Sequence, residues 1–310
     1  MMRKSISGWK DGPAAGAVIL FFACALAFAP DAFLLMLARS FMVQWALLAA
    51  AIAVHAVFTR RWWSAGAAGC AAVLLGYPPQ ATVQADPDTD GKELVRVAQM
   101  NLFQPNKDHD DVLSAARATN ADVISFQEVS PEWAEALEQG LATDYPFHRI
   151  VPARNCYGIA LFSKLPFAEM RTEYVQGSPV LCAEVSTPAG PVRLLSVHAT
   201  SPGSYAHFQR RNAQLDAIAG MVNHRAMPMV LFGDLNTVSW DRSLVRLCAR
   251  TGLREHTDNL DATWPSFAGL ALIPLDHIFV SNELAVAKLG TFTIAGSDHR
   301  GVMANIRLRT

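Results

Sequence analysis

The chain has 310 residues, enough for one large domain and an accessory segment, and its 26 Lys plus Arg nearly balance 27 Asp plus Glu. The balance is uneven, because from residue 81 onward 20 Lys plus Arg face 25 Asp plus Glu. An acidic C-terminal part excludes a uniformly basic duplex-binding surface and leaves room only for a local basic patch.

Residues 12–80 carry only four charges, Asp31, Arg39, Arg60 and Arg61. Such long apolar runs belong in buried or lipid-facing helix, and they divide into spans near 14–29, 40–58 and 64–79. The middle run is the strongest, and the third, rich in Gly and Ala, is the weakest. A cleaved signal peptide fits less well, because two further apolar runs follow the first without a small-residue cleavage site. A hydrophobic stub lying on the surface is the other alternative. With three spans and the N-terminus inside, Arg3, Lys4, Lys10, Arg60 and Arg61 lie on the inner side and only Arg39 on the outer. Trp62 and Trp63 then suit an interfacial belt. The expectation is a multi-pass protein of a bacterial inner membrane with its C-terminal domain periplasmic or extracellular. Failure of the third span would leave that domain in the cytoplasm.

The chain accordingly divides into a membrane region 1–80, a linker 81–93 and a domain 94–310. The linker is rich in Pro, Asp and Gly and has no periodicity. Strands are expected at 94–100, 121–126, 146–151, 158–163, 180–186, 192–198, 228–232, 275–281, 287–293 and 302–308. Helices are expected at 109–119, 131–140, 207–222 and 242–250, the second capped by Ser130 with Pro131 in its first turn. Pro188-Ala189-Gly190-Pro191 reads as a turn. This mixture, with several hairpin-length connections, points to two packed sheets with helices outside, and no glycine-rich phosphate loop follows the first strand. Cys156 and Cys182 are read either as a disulfide across neighbouring strands or as two small buried hydrophobes.

Polar clusters recur where the apolar strands end. Glu128, after Gln127, is a suitable single carboxylate for Mg²⁺ or Mn²⁺, ions that keep several waters and need few protein ligands. Its bland alternative is a helix cap before Ser130-Pro131. Asn101 offers an amide oxygen from the neighbouring strand, or is merely a turn residue. Asp234 and Asn236 point the same way if the strand continues, so a carboxylate can orient water while an amide donates to a phosphoryl oxygen. The same segment also reads as an Asx-turn. Asp276 can hold one nitrogen of His299 and keep the ring protonated against a developing charge, and His198 supplies a second donor. Each of these residues alone is more often a turn, surface or core group.

Taken in order, Asn101, Gln127-Glu128, Tyr157-Gly158-Ile159-Ala160-Leu161-Phe162-Ser163, Ser196-Val197-His198, Gly233-Asp234-Leu235-Asn236, Leu275-Asp276-His277-Ile278 and Ser297-Asp298-His299 resemble the motifs of the endonuclease/exonuclease/phosphatase superfamily. The resemblance covers about 94–308. It implies a four-layer α/β sandwich that hydrolyses phosphodiesters or phosphomonoesters with a divalent metal, by in-line attack of water and without a covalent intermediate. By resemblance, Glu128 is the principal metal ligand with Asn101 beside it, and Asp298 completes the metal or water network. Asp234 orients or deprotonates water, Asn236 and His198 bind the scissile phosphate, and Asp276 orients His299. Arg211 and Gln214 resemble a support helix of the family, with a solvated face as the alternative. Many nuclease members carry an acidic residue where this chain has Phe103, which weighs against a second metal and against nuclease activity. The leading expectation is a membrane-anchored phosphoesterase acting beside the lipid bilayer on a phospholipid head group or small phosphoester. A nuclease acting on nucleic acid and a non-catalytic interaction domain are the alternatives.

Overall fold

The computed structural model describes residues 13–77, 82–83, 93–222, 227–256, 262–267 and 270–309. The chain divides into two compact units, Met1–Gln80 and Ala81–Thr310. In the first, the apolar runs form α1 (Pro13–Phe28), α2 (Phe33–Ser40), α3 (Met42–Phe58) and α4 (Trp62–Gly76). Helices α1, α3 and α4 overlap the three expected spans, whereas α2 occupies what was expected to be a connecting loop and bends 102° from α1. Pro30 lies at the break and has no N–H to donate, and Arg39 bridges the bend. It is buried on α2, not free in an outer loop, and it donates Nε to Leu26 O at 2.8 Å and Nη2 to Ala29 O at 2.9 Å. It thereby satisfies carbonyls at the end of α1, where the intrahelical ladder runs out.

At 1.5 Å per residue α1 and α3 are roughly 24 and 26 Å long, against about 30 Å of bilayer hydrocarbon. Among the described residues no single helix is long and apolar enough to cross a membrane, and α1 with α2 reaches that composition only as a bent pair. Phe21, Phe28, Leu34, Leu47, Phe58, Trp62 and Trp63 nevertheless remain exposed on these helices. Arg3, Lys4 and Lys10, on which the inward orientation rests, lie outside the described residues.

The second unit runs β1 (Thr82–Val83), β2 (Glu93–Asn101), α5 (His109–Ala118), β3 (Val123–Gln127), α6 (Pro131–Leu141), β4 (Phe147–Val151), β5 (Ile159–Ser163), β6 (Phe167–Val175), β7 (Ser178–Thr187), β8 (Gly190–His198), α7 (Tyr205–Val222), β9 (Met229–Asp234), α8 (Arg242–Thr251), β10 (Arg254–His256), β11 (Asp276–Val280), β12 (Leu284–Thr293) and β13 (Arg300–Leu308). Strand β1 lies inside the expected linker and pairs in parallel with β10, while 81 and 84–92 lie outside the described residues. Ser130 caps α6 by accepting the Trp133 N–H, as its sequence position predicts.

Two mixed sheets form, ordered β1-β10-β11-β9-β8-β7-β6 and β12-β13-β2-β3-β5-β4. A helical crossover closes a parallel pair in each, β2-α5-β3 in the six-stranded sheet and β8-α7-β9 in the seven-stranded one, which also holds the parallel β1–β10 pair. Apolar side chains of both sheets, including Val97, Leu161, Leu194, Phe232 and Ile306, fill the layer between them. Trp133 and Leu137 of α6 and Val112 of α5 cover the outer face of the six-stranded sheet. Leu215 and Ile218 of α7 and Leu244 and Leu247 of α8 cover the other. The result is the expected order of helices, sheet, sheet, helices. Three strands were not anticipated: β1, inside the expected linker, β6 and β10. Strand β6 is an edge strand in which Glu169, Arg171 and Glu173 alternate with Met170, Thr172 and Tyr174, and β10 is only three residues long. Cys156 and Cys182 are free thiols.

Candidate active site

The site lies where the C-terminal ends of β2–β3 and β8–β9 meet across the two sheets. Strand alternation decides which side chains enter it: Gln99 and Asn101 from β2, Ser125 and Gln127 from β3, Ser196 and His198 from β8. All six are buried. Gly233 lets β9 close on β8, because at its φ of +140° a Cβ would sit 1.9 Å from Val197 O. Asp234 thus falls opposite His198 in the parallel register. Glu128 and Asn236 adopt left-handed backbone, φ +62° and +49°. Such conformations are uncommon for non-glycine residues, and strained ones gather at functional sites.

Asp234 is the hub. Its Oδ1 accepts the Asn236 N–H at 2.8 Å, and its Oδ2 accepts Asn101 Nδ2 at 3.0 Å and Asn236 Nδ2 at 3.2 Å. His198 Nε2 stands 3.6 Å and His299 Nε2 3.9 Å from that oxygen. Burial, reinforced by the charge of Asp276, pushes the Asp234 carboxyl up to about 7. The expected Asp276–His299 contact is present, with His299 Nδ1 2.7 Å from Asp276 Oδ2. Burial disfavours both charges, but their mutual attraction and hydrogen bond win: Asp276 is held below the ordinary carboxylate range and His299 rises to about 10. His198, desolvated and repelled by His299, falls to about 4 and is neutral. Its ring is 5.8 Å from that of Tyr157, which in turn lies 4.8 Å beneath the Arg210 guanidinium.

Glu128 is half-buried; its Oε2 accepts the Gln104 N–H at 2.8 Å and its Oε1 is 3.3 Å from Asn101 Nδ2. Burial raises its pKa, and the charge of Asp298 adds to the rise. Asp298 takes the Trp264 indole N–H at 3.0 Å on Oδ2, while its Oδ1 is buried with no hydrogen-bond partner among the described residues. Hard oxygen donors carrying uncompensated negative charge suit Mg²⁺ or Mn²⁺. Asn101 is less simple: its Oδ1 takes the Phe103 N–H at 2.9 Å, and its amide nitrogen, not its oxygen, faces Glu128 and Asp234. Asn236 also departs from expectation. Its Nδ2 is spent on Ala199 O at 3.0 Å and on Asp234, so as placed it orients the carboxylate and is not free for a phosphoryl oxygen. One ligand atom from each of Asp234, Asp276 and His299 lies within 4.8 Å of the others, close enough for a metal. A protonated His299, however, has no lone pair to give, so Glu128 and Asp298 are the better ligands.

Other buried residues support the site: Arg211 and Gln214 do so in place of a solvated face, whereas Gln99, Ser125 and Thr263 escaped sequence reasoning. Arg211 and Gln214 are wholly internal: Arg211 reaches Asn236 O and Asp241 at 3.3 Å, and Gln214 Oε1 accepts the Thr200 N–H at 2.7 Å. Phe208 is likewise buried, whereas Tyr205 is exposed. His277 bonds the Glu255 carboxylate through Nδ1 and lies 2.7 Å from Thr237 O through Nε2, tying β10 and β11 to the loop after Asn236. Thr263 Oγ1 accepts the N–H groups of Leu275 at 3.0 Å and Asp276 at 3.3 Å. The available signal was a polar side chain at an inward position of an apolar strand, as at Gln99, Ser125 and Ser196.

A family model described as "Endonuclease/Exonuclease/phosphatase family" matches residues 98–299. No curated protein matches the chain. Among solved structures, D. rerio TDP2 complexed with single strand DNA product aligns with TM-score 0.59 at 15% identity, covering 70% of this chain and 100% of that one. A mutant of beta toxin from Staphylococcus aureus, with bound magnesium ions, aligns with TM-score 0.54 at 17% identity, covering 69% and 99%. Sphingomyelinase C from Streptomyces griseocarneus gives TM-score 0.53 at 17% identity, again covering 69% and 99%. At these identities the likeness is one of fold.

Proposed function

We propose, for a chain that belongs to the endonuclease/exonuclease/phosphatase family, that it is a divalent-metal-dependent phosphoesterase acting on a phosphodiester or phosphomonoester close to a membrane. The observation carrying this reading is the placement of Asp234, held by Asn101 and Asn236, beside the Asp276–His299 pair. Asp234 accepts a proton from a water directed at phosphorus. As the new P–O bond forms, the P–O bond on the far side breaks, and the departing alkoxide takes a proton to leave as the alcohol. His299, fixed by Asp276 through Nδ1, keeps Nε2 turned toward Asp234 and can meet the charge that gathers on the phosphoryl oxygens. His198 stands beside the same carboxylate as a neutral second contact for phosphate. Glu128 and Asp298, with Asn101 alongside, are the residues that would hold Mg²⁺ or Mn²⁺. When bound, such an ion supplies positive charge to phosphate oxygens.

We further assign residues 1–80 to a bacterial inner membrane, with the hydrolase domain on its outer side. The support is four apolar helices whose Phe21, Phe58, Trp62 and Trp63 are exposed. A membrane setting favours a lipid head group, and one fold neighbour is named a sphingomyelinase. Another neighbour holds single-stranded DNA, so a nuclease is the second reading. The acidic balance from residue 81 onward weighs against it. The deciding experiment incubates the full chain, with Mg²⁺ or Mn²⁺, with phospholipid vesicles, small phosphodiesters, single-stranded DNA and duplex DNA. Turnover of vesicle lipid or small diester, abolished by chelator and by Asp234→Ala, is expected. Rapid metal-dependent DNA cleavage without lipid or diester turnover would establish the nuclease instead, and hydrolysis unaffected by Asp234→Ala and His299→Ala would sink the site.

A further inference from the structure

Residue Gln99 is on β2, two positions before Asn101 and on the same face of the strand. It is fully buried, and its Nε2 donates across the inter-sheet layer to Asp276 Oδ1 at 2.7 Å and within its own sheet to Gln127 Oε1 at 2.6 Å. Both amide hydrogens are therefore used. The amide oxygen is buried without a hydrogen-bond partner among the described residues. Turning the amide over would set that oxygen against the Asp276 carboxylate, so its orientation is fixed by the acceptors around it. A buried unmet acceptor weakens the fold, because it gives up its hydrogen bond to water and gains none in return. An apolar residue of similar volume would avoid that loss.

What Gln99 achieves is visible at Asp276. The carboxylate has two oxygens: Oδ2 meets His299 Nδ1, and Oδ1 meets Gln99. The Thr263 hydroxyl also bonds this carboxylate, but without Gln99 nothing from the facing sheet holds Oδ1, so the carboxyl plane and the His299 ring bound to it are held less firmly. Gln99 is itself clamped, because Gln127 Nε2 donates to Ser125 Oγ at 2.6 Å and Ser125 Oγ lies 2.5 Å from Ser196 Oγ on the opposite sheet. Strand β2 thus braces both carboxylates of the facing sheet with successive inward amides, Asn101 on Asp234 and Gln99 on Asp276.

Resting on the hydrolytic reading above, we propose that Gln99 is a positioning residue, which acts through Asp276 to hold the His299 ring in its working orientation. Supporting groups of this kind, bonded to a catalytic or ligating side chain, are worth about tenfold to a hundredfold in activity. The test is a double-mutant cycle in the full chain with Gln99→Met, Asp276→Asn and the pair. Gln99→Met, close in shape but lacking donors, should lower kcat by about tenfold to a hundredfold with KM unchanged. Added to Asp276→Asn it should cost nothing further, because the path through Asp276 is already broken. An unchanged kcat, or losses that multiply in the double variant, would overturn the proposal. If Gln99→Met fails to fold, Gln99→Asn, which keeps the amide but withdraws it by one methylene, is read in the same way. The second readout needs no substrate. In protein carrying nitrogen-labelled histidine, the His299 Nδ1 proton should give a resonance that Gln99→Met shifts or broadens. If the parent hydrolyses none of the substrates, the hydrolytic reading fails and this resonance alone decides: a change supports positioning by Gln99, and an unaltered resonance refutes it.

Discussion

A carboxylate buried beside a second carboxylate is more stable protonated, and Asp234 lives under that pressure while its proposed work requires a charge. Burial and Asp276 together bring its pKa to about 7, whereas His299 stays charged up to about 10. Activity should therefore rise about tenfold per pH unit below about 7, stay level, and fall again near about 10, if these two groups govern it. A profile flat from pH 5 to pH 8 would separate Asp234 from proton transfer. Asp234→Asn should lower kcat by about a hundredfold or more. The same substitution tests the sign of the stability effect. A carboxyl whose folded pKa lies above its unfolded value favours folding below the unfolded pKa, and that contribution is lost as pH rises through about 7. In chelator-treated protein, Asp234→Asn should accordingly melt higher than the parent at pH 8, with the gap closing toward pH 4. A variant that melts lower at pH 8 would show that the hydrogen bonds from Asn101 and Asn236 outweigh the burial of the charge.

At the scale of elements, the β8–β9 closure is the step that makes a site from two strand ends. Gly233→Ala drives a Cβ to 1.9 Å from Val197 O at a φ of +140°, and backbone on both sides has no easy way to yield. A loss of at least about 3 kcal/mol is expected, with the melting temperature and the catalytic rate falling together. Gly220 of α7 is the contrast, since a Cβ there meets nothing within 4 Å and its backbone is helical. Gly220→Ala should stabilise by about 0.5–1 kcal/mol, raising the melting temperature by roughly 2–4 °C. If both variants melted alike, the assigned closure would be wrong. Elements of this kind were largely legible in the sequence: apolar runs ending in Asn101, Glu128, His198 and Asp234 marked strand ends, and Ser130-Pro131 marked a helix start. What escaped was whatever depends on contact across the sheets. Gln99 and Asp276 are 177 positions apart, and no local pattern joins them. Edge strand β6 has Glu169, Arg171 and Glu173 at every second position, so no apolar run marks it as a strand. The roles of Asn101 and Asn236 were only half legible, because residue type names an amide but not which end of it faces the carboxylates.

At the scale of the whole chain, an α/β domain with a satisfied apolar core is joined to a helical unit that is not satisfied. Phe21, Phe58, Trp62 and Trp63 stay exposed, while Arg39 turns inward to hold the bend between α1 and α2. Water makes exposed apolar area of this kind costly, at about 25 cal/mol per Å², and a lipid environment relieves the cost. The short helices set a limit on how this can occur. Either they extend when surrounded by lipid, or the bilayer thins around them, each at a fraction of a kcal/mol per Å of mismatch. The expected outcome is that the full chain fractionates with membranes and resists alkaline carbonate extraction, as an integral protein does and a peripheral one does not. Arg39→Leu removes the donor to Leu26 O and Ala29 O, and should change how α1 and α2 pack without releasing the protein into the soluble fraction. On the proposed topology of three crossings from an inward N-terminus, a phosphatase reporter fused after Thr310 should be active. An inactive phosphatase with a fluorescent cytoplasmic reporter at the same position would mean an even number of crossings. A lipid substrate, as proposed, would then have to be met on the inner leaflet. Release by carbonate would remove the membrane from the account altogether, leaving the phosphoesterase site to be judged on soluble substrates alone.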